Sequence, residues 1–204
     1  MKRLGLYIHI PFCDRICNYC DFTAFQGANS KIKEYVEALK KEIELKGNKD
    51  FLIDSIFIGG GTPSFIDGEY IFEILEKIRE NFTVLDNIEI SIETNPKTFD
   101  EKKLEYYKSA KINRVSIGVQ SFNDVILKEL GRNHNSKESF DSIELVKKFD
   151  FDLNLDLIFG YQSQIIEDVL YDLEMVKNIN PEHISYYALI IEEKTKFKAL
   201  QNVG

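Results

Sequence analysis

No stretch of this chain approaches the ~18 consecutive apolar residues of a membrane-spanning helix, so no helical span is expected. A basic excess is also missing. Lysine and arginine total 26 against 34 acidic residues, a net charge of -8. A nucleic-acid partner, which wants a basic face, is therefore not expected. The N-terminal "MKRLGLYIHIPFC" has no small-residue cleavage site, and Tyr7, His9 and Pro11 interrupt its apolar character. No signal peptide is read there. The expected location is cytoplasmic, with peripheral membrane contact at most. There is no low-complexity segment and no evident linker. Cysteine is scarce: Cys13, Cys17 and Cys20 are all there is. An odd count cannot be consumed by disulfides, and such spacing in a cytosolic chain points to metal or redox chemistry.

What is present is regular. The 204 residues are 44% hydrophobic, enough for one sizeable core. Short β-branched runs at 4–10, 54–60, 87–94, 113–120, 151–160 and 183–190 read as strands. Helix patterns lie between them. Ile32, Val36, Leu39 and Ile43 keep helical spacing over 31–46, with Ser30 and Gly47 as expected caps. Ile71, Ile74, Leu75 and Ile78 repeat the pattern over 69–82. Four more helices follow, the last stopped by Asn180 and Pro181. Six strands alternating with helices imply an α/β fold with parallel strands. The count falls short of a closed eight-unit barrel. An open, partial (β/α)6 TIM-like barrel is expected, with a doubly wound sheet as the alternative. Either way, functional groups gather at the carboxyl ends of the strands. "PFC", "GGGTP", "ETNP", "VQSF" and "DLIFG" all stand there.

The segment "HIPFCDRICNYCDF" holds all three thiols, spaced C-x3-C-x2-C. Three thiolates can hold three irons of a [4Fe–4S] cluster and leave the fourth iron open to another ligand. Zinc is the rival; a structural zinc needs four ligands, so His9 or His134 would have to join.

The loop "CDRICNYC" resembles the signature of the radical S-adenosylmethionine (SAM) superfamily. The resemblance implies that SAM chelates the open iron and is cleaved reductively to a 5′-deoxyadenosyl radical, the cofactor carrying the hard chemistry. "LYIHIPFCDRICNYCDF", "FIGGGTPS", "SIETNP", "RVSIGVQSF", "LGRNH" and "NLDLIFG", in that order, resemble the oxygen-independent coproporphyrinogen III oxidase branch and its HemW haem-chaperone relatives. The match covers residues 4 to about 192.

That resemblance implies roles for particular residues. "GGGTP" offers bare backbone at a strand end and lacks the Lys-Ser/Thr of a phosphate loop. Gly60, Gly61 and Thr62 are candidates to meet the methionine amine. Glu93 is placed beside the SAM ammonium. Gln120 and Asp156 are placed at the ribose hydroxyls; an acid in so apolar a strand as "LNLDLIFG" is costly unless partnered. Arg132 suits the SAM carboxylate, and Ala188 would give only backbone to adenine. Tyr7 and Tyr19 flank the cluster motif, as core packing or as cofactor wall. His183 reads as structural.

Two jobs share this core in the family. The oxidase converts two propionates of coproporphyrinogen III to vinyl groups; the chaperones bind and deliver haem. The oxidase carries a further cysteine two residues after the third, and here that position is Phe22, which favours the chaperone. Haem or a porphyrinogen is thus the implied ligand, with an unidentified electron donor and a haem-acceptor protein as partners. Two departures stand out. Relatives run "GLPGQT" where this chain has "GYQSQI". Residues 1–192 are read as the radical SAM core, and 193–204 as the start of a truncated C-terminal extension, which in the chaperones carries a haem-binding motif.

Overall fold

The computed structural model describes residues 2–161 and 163–201. The elements in chain order are β1 (Lys2–Ile10), β2 (Phe12–Cys13), β3 (Phe25–Gln26), α1 (Ile32–Lys46), β4 (Phe51–Gly60), α2 (Gly68–Asn81) and β5 (Thr83–Thr94). Then come α3 (Glu101–Ser109), β6 (Arg114–Gln120), α4 (Asp124–Glu129), α5 (Ser136–Lys148), β7 (Asp152–Phe159), α6 (Ile166–Ile179), β8 (His183–Ala188) and α7 (Lys196–Gln201).

Six strands form one sheet in the order β1-β4-β5-β6-β7-β8, every neighbouring pair parallel. A doubly wound sheet reverses its order at a switch point. Here the order never reverses, so the sheet curls one way into an open half-barrel, with β1 and β8 as its edges among the described residues.

Alternation along each strand sends successive side chains to opposite faces. The outward set is apolar: Ile8 and Ile10, Ile56 and Ile58, Ile90 and Ile92, Val115 and Ile117, Leu153 and Leu155. It packs against helix stripes that include Val36, Ile43, Leu104, Ile143 and Val176. The α2 stripe of Ile71, Ile74, Leu75 and Ile78 is wholly buried, as its spacing requires.

The inward face differs from the packed apolar interior of a closed barrel. Register sets Tyr7, Phe57, Ser91, Arg114 and Asp152 in one row. Glu93, Ser116, Asn154 and His183 form the next. These groups bond to one another. Asn154 Nδ2 donates to Ser116 Oγ at 2.6 Å and to Asp156 Oδ1 at 2.7 Å. Ser116 Oγ donates to Asp156 Oδ2 at 2.8 Å. His183 Nδ1 meets Asn154 Oδ1, so His183 is a strut of this network.

Three local expectations are corrected. Lys31, not Ser30, is the N-cap of α1, and it caps without a side-chain bond, because residues 29–31 form a 3-10 turn that leads straight in. Gly47 has φ -55, so it is not a left-handed cap. Its small size matters instead, since a Cβ there would lie 2.9 Å from Asn81 Cβ. The third sheet strand starts at Thr83 rather than 87. Its first residues pair with β4 ahead of a register shift, and Asn87 takes a left-handed φ of 56, which breaks the alternation a strand reading needs.

Candidate functional site

The cysteine loop is pinned at both ends. Cys13 lies in β2, which pairs with β3 so that Phe12 faces Phe25 and Cys13 faces Gln26. Midway, Asn18 caps the end of α4. Its N–H donates to the Leu130 carbonyl at 3.0 Å and its Nδ2 to the Glu129 carbonyl at 2.9 Å. Two of the four carbonyls a helix end leaves open are satisfied this way. Gly131, at φ 77, leaves room: a Cβ there would meet Asn18 at 2.7 Å. Asn133 then donates to Asp14 at 2.7 Å. "LGRNH" is therefore a bracket for the cysteine loop.

Two of the thiols have a side-chain partner. Thr62 Oγ1 accepts from Asn95 Nδ2 at 3.0 Å, which leaves its own O–H for Cys13 Sγ at 3.3 Å. Arg132 Nη1 donates to Cys17 Sγ at 3.3 Å. The Phe22 backbone beside Cys20 favours the thiolate form. Burial pushes the Cys13 and Cys20 thiols up, and these groups oppose it. All three cysteines are free and line one open cleft.

Among the described residues, no three His, Cys, Asp or Glu side chains converge as ligands of a single ion. That fits a zinc centre poorly and leaves a four-iron cluster open, since each thiolate of such a cluster takes a different iron. Neither imidazole lines the cleft that holds the cysteines. His9 Nε2 donates to the Thr23 carbonyl and Nδ1 meets Tyr7 Oη, both at 2.9 Å. His134 is buried with Nε2 on the Val119 carbonyl at 3.2 Å. Burial, with Arg132 nearby, pushes its pKa down to about 3, which keeps it neutral.

Tyr19, Gly60, Gly61, Thr62, Glu93, Gln120, Arg132 and Asp156 line the same cleft. Tyr7 and Ala188 stand outside that lining. Tyr7 is on the inward face, stacked on Phe57 at 6.1 Å and within reach of the Glu93 charge. Ala188 ends β8. The glycines are sterically required. A Cβ on Gly61 would sit 3.0 Å from Cys13 Sγ, and Gly60 has φ +117 with the His9 ring over it. Arg132 is not a solvated helix-end side chain. Its Nη2 donates to Asn95 Oδ1 and the Gly118 carbonyl, both at 2.6 Å, and only Nε lacks a partner. Among the described residues, Gln120 Oε1 is likewise buried without a partner.

Among the cleft residues that sequence reading missed, three carry polar groups that matter to the site. Asn95 ties Thr62 to Arg132, and only its place in "ETNP" marked it. Tyr187 lines the cleft, its hydroxyl pushed up to about 12 by burial first and Asp156 second. Its signal was inward parity with Ser185. Arg15, in the loop itself, adds a second cation.

Glu93 Oε2 accepts the Gly60 N–H at 3.1 Å. Burial raises its pKa from 4.5 to about 7, with Asp156 adding to the rise. The folded chain then keeps a proton that the unfolded chain releases between about pH 4.5 and 7, so stability falls as pH rises through that window. The loss is about 3 kcal/mol at most. Glu93→Gln removes this slope. Urea midpoints of the cofactor-free protein across the window, wild type against variant, check it; parallel curves would refute it.

The cleft's donor set fits a cluster-bound SAM: three thiols, half-buried carboxylates for an ammonium, an arginine and an amide with open valences, and bare glycine backbone. Half-barrel and site together define a radical SAM core. The Radical SAM superfamily profile matches residues 7–176, and the chain belongs to that superfamily. Membership implies SAM and a [4Fe–4S] cluster.

Curated relatives narrow the likeness. The heme chaperone HemW of Buchnera aphidicola subsp. Schizaphis graminum is 41% identical over 97% of this chain and 53% of its own length. That of Escherichia coli is 36% identical over 97% of this chain and 53% of its own. The chain spans about half the length of these relatives. Among solved structures, the coproporphyrinogen III oxidase HemN of Escherichia coli superposes with a TM-score of 0.88 at 27% identity, covering 98% of this chain and 46% of that one. Methylornithine synthase PylB, at 13% identity over 97% of this chain and 56% of that one, shares the fold with a TM-score of 0.66. No helix among the described residues is long and apolar enough to cross a membrane.

Proposed function

We propose that this chain is the cofactor-bearing core of a haem chaperone of the HemW kind. The observation that carries the reading is its likeness to heme chaperones at 36–41% identity over nearly all its residues. Phe22 supports it. The ring lines the cleft beside Cys20 and is 67% exposed, an apolar wall where a thiol would mark the oxidase. Haem is the proposed ligand, a haem-acceptor protein and an electron donor the proposed partners, and the cytoplasm the proposed location.

When bound, a [4Fe–4S] cluster with SAM supplies one-electron bond-cleaving chemistry. Cys13, Cys17 and Cys20 would hold the cluster, the first two sulfurs oriented by Thr62 and Arg132. Glu93 would accept the SAM ammonium, and Asp156 and Gln120 the ribose hydroxyls. Arg132 would offer Nε to the carboxylate, its other nitrogens already locking it in place. Gly60, Gly61 and Thr62 would let backbone approach the methionine end. Tyr19 and Tyr187 would keep water off that end.

The test uses the protein at its natural full length, reconstituted anaerobically. One sample is titrated with haem; another receives coproporphyrinogen III, SAM and a strong reductant, and its porphyrins are separated by chromatography. The expected result is a saturable shift of the haem band and no divinyl product. More than one turnover to the divinyl product would instead assign the oxidase activity that the HemN-like structure keeps in view.

A further inference from the structure

We propose that Asp172, on α6 and outside the cleft, is a positioning residue that holds Gln120 in its cofactor-facing conformation; this rests on the proposed SAM site.

Gln120 is set in an unfavourable backbone. It is a non-glycine residue at φ 69, a conformation that persists only where the surroundings impose it. It also follows a register shift against β7 between Gly118 and Gln120, the kind of bulge that re-aims a side chain. The result is an amide aimed into the cleft, with Oε1 buried and without a partner among the described residues. Its Nε2 lies so near Gly118 that a Cβ there would meet it at 2.9 Å.

The next two residues are where the imposition comes from. Asp172 Oδ1 accepts the Phe122 N–H at 2.7 Å and the Ser121 hydroxyl at 3.1 Å. Asp172, Ser121 and Phe122 are all buried, Asp172 with no exposure at all. A carboxylate in that position is costly, and a leucine would fill the space better if packing were the only demand. Burial pushes the Asp172 carboxyl up, while the Phe122 and Ser121 donors pull against that rise. One turn away, Asp168 Oδ1 accepts from Asn123 Nδ2 at 2.9 Å. Helix α6 therefore grips the residues just after Gln120 at two points. From the other side, His134 holds the carbonyl of Val119. With its flanking peptides fixed, the positive φ of Gln120 has nowhere to relax.

Asp172 and Gln120 should then act on SAM as one unit, and coupled residues give non-additive effects. The reconstituted protein is compared as wild type, Asp172→Ala, Asp172→Asn, Gln120→Ala and the Gln120→Ala/Asp172→Ala double variant. SAM affinity is read by equilibrium dialysis, iron by colorimetric assay. Asp172→Ala weakens SAM roughly tenfold, the size of one lost charge-assisted bond, with full iron content. Asp172→Asn keeps an acceptor for Phe122 and Ser121 and restores affinity to within about twofold. In the Gln120→Ala background, Asp172→Ala has no further effect. An equal tenfold loss in that background would overturn the proposal, as would unchanged SAM affinity in Asp172→Ala. If Asp172→Ala does not fold, Ser121→Ala takes its place in the cycle. A loss of about threefold, absent without Gln120, supports the proposal, and no loss overturns it. A wild-type protein that holds iron and binds no SAM would fail earlier, at the cofactor reading itself.

Discussion

With Cys13, Cys17 and Cys20 all replaced by alanine, the reconstituted protein carries no iron and loses the broad absorption near ~400 nm that thiolate-to-iron charge transfer produces. Any single replacement gives the same loss, because three thiolates are the least that holds a four-iron cluster with one iron open. The fold survives. Only Cys13 of the three is fully buried. The loop keeps its other anchors, Asn18 on α4 and Asn133 on Asp14. Circular dichroism at wild-type amplitude beside an empty iron assay is therefore the expected pair of results. Four irons retained by the triple variant would end the cluster reading.

Arg132→Ala lowers SAM affinity by about ten- to a hundredfold, the range for losing one charge-assisted pair. The structure adds a second consequence. The guanidinium joins Cys17, Asn95 and the Gly118 carbonyl, so its removal leaves acceptors on two strand ends without donors. Arg132→Lys does not restore binding, since one compact ammonium cannot span three directions. Iron content stays near wild type, because no cysteine has changed. Dialysis against SAM with a parallel iron assay separates the two effects. Wild-type affinity in Arg132→Ala would return this side chain to the framework.

The helix layer could be read from spacing because burial there follows one rule. Ile71, Ile74, Leu75 and Ile78 point one way on a helix, and only one face is dry. The strands were legible for a related reason: their outward residues are uniformly branched and apolar. Their inward partners, such as Ser116 and Asn154, read as ordinary polar alternation, with no hint that they join across strands. The cysteines announced themselves by spacing, and Phe22 by its place after them. Asn18 and Asp172 could not be found that way, and for Asn95 and Tyr187 motif place and strand parity gave no sign of the contacts they make. Each acts on a partner 33 or more residues distant in sequence or by its position on a curled sheet, and no local pattern encodes that. The short pairing of β2 with β3 was invisible too, two residues being too few for a period. In "GYQSQI", Gln162 lies outside the described residues, while Ser163 meets Glu129 Oε2.

The polar inner face has a consequence for how such a protein changes over time. Its folding free energy comes from the seam between helices and the outward side of the sheet, so the lumen rows contribute little hydrophobic drive. Exchanging Tyr7, Phe57 or Arg114 for other side chains alters what the hollow greets without asking the helices to repack. Mutational tolerance and ligand contact are thus concentrated on the same surface. A scaffold built this way can be retargeted step by step, each intermediate still folded, while its outer seam is held to a narrow set of residues. That is in keeping with a fold still shared at 13% identity.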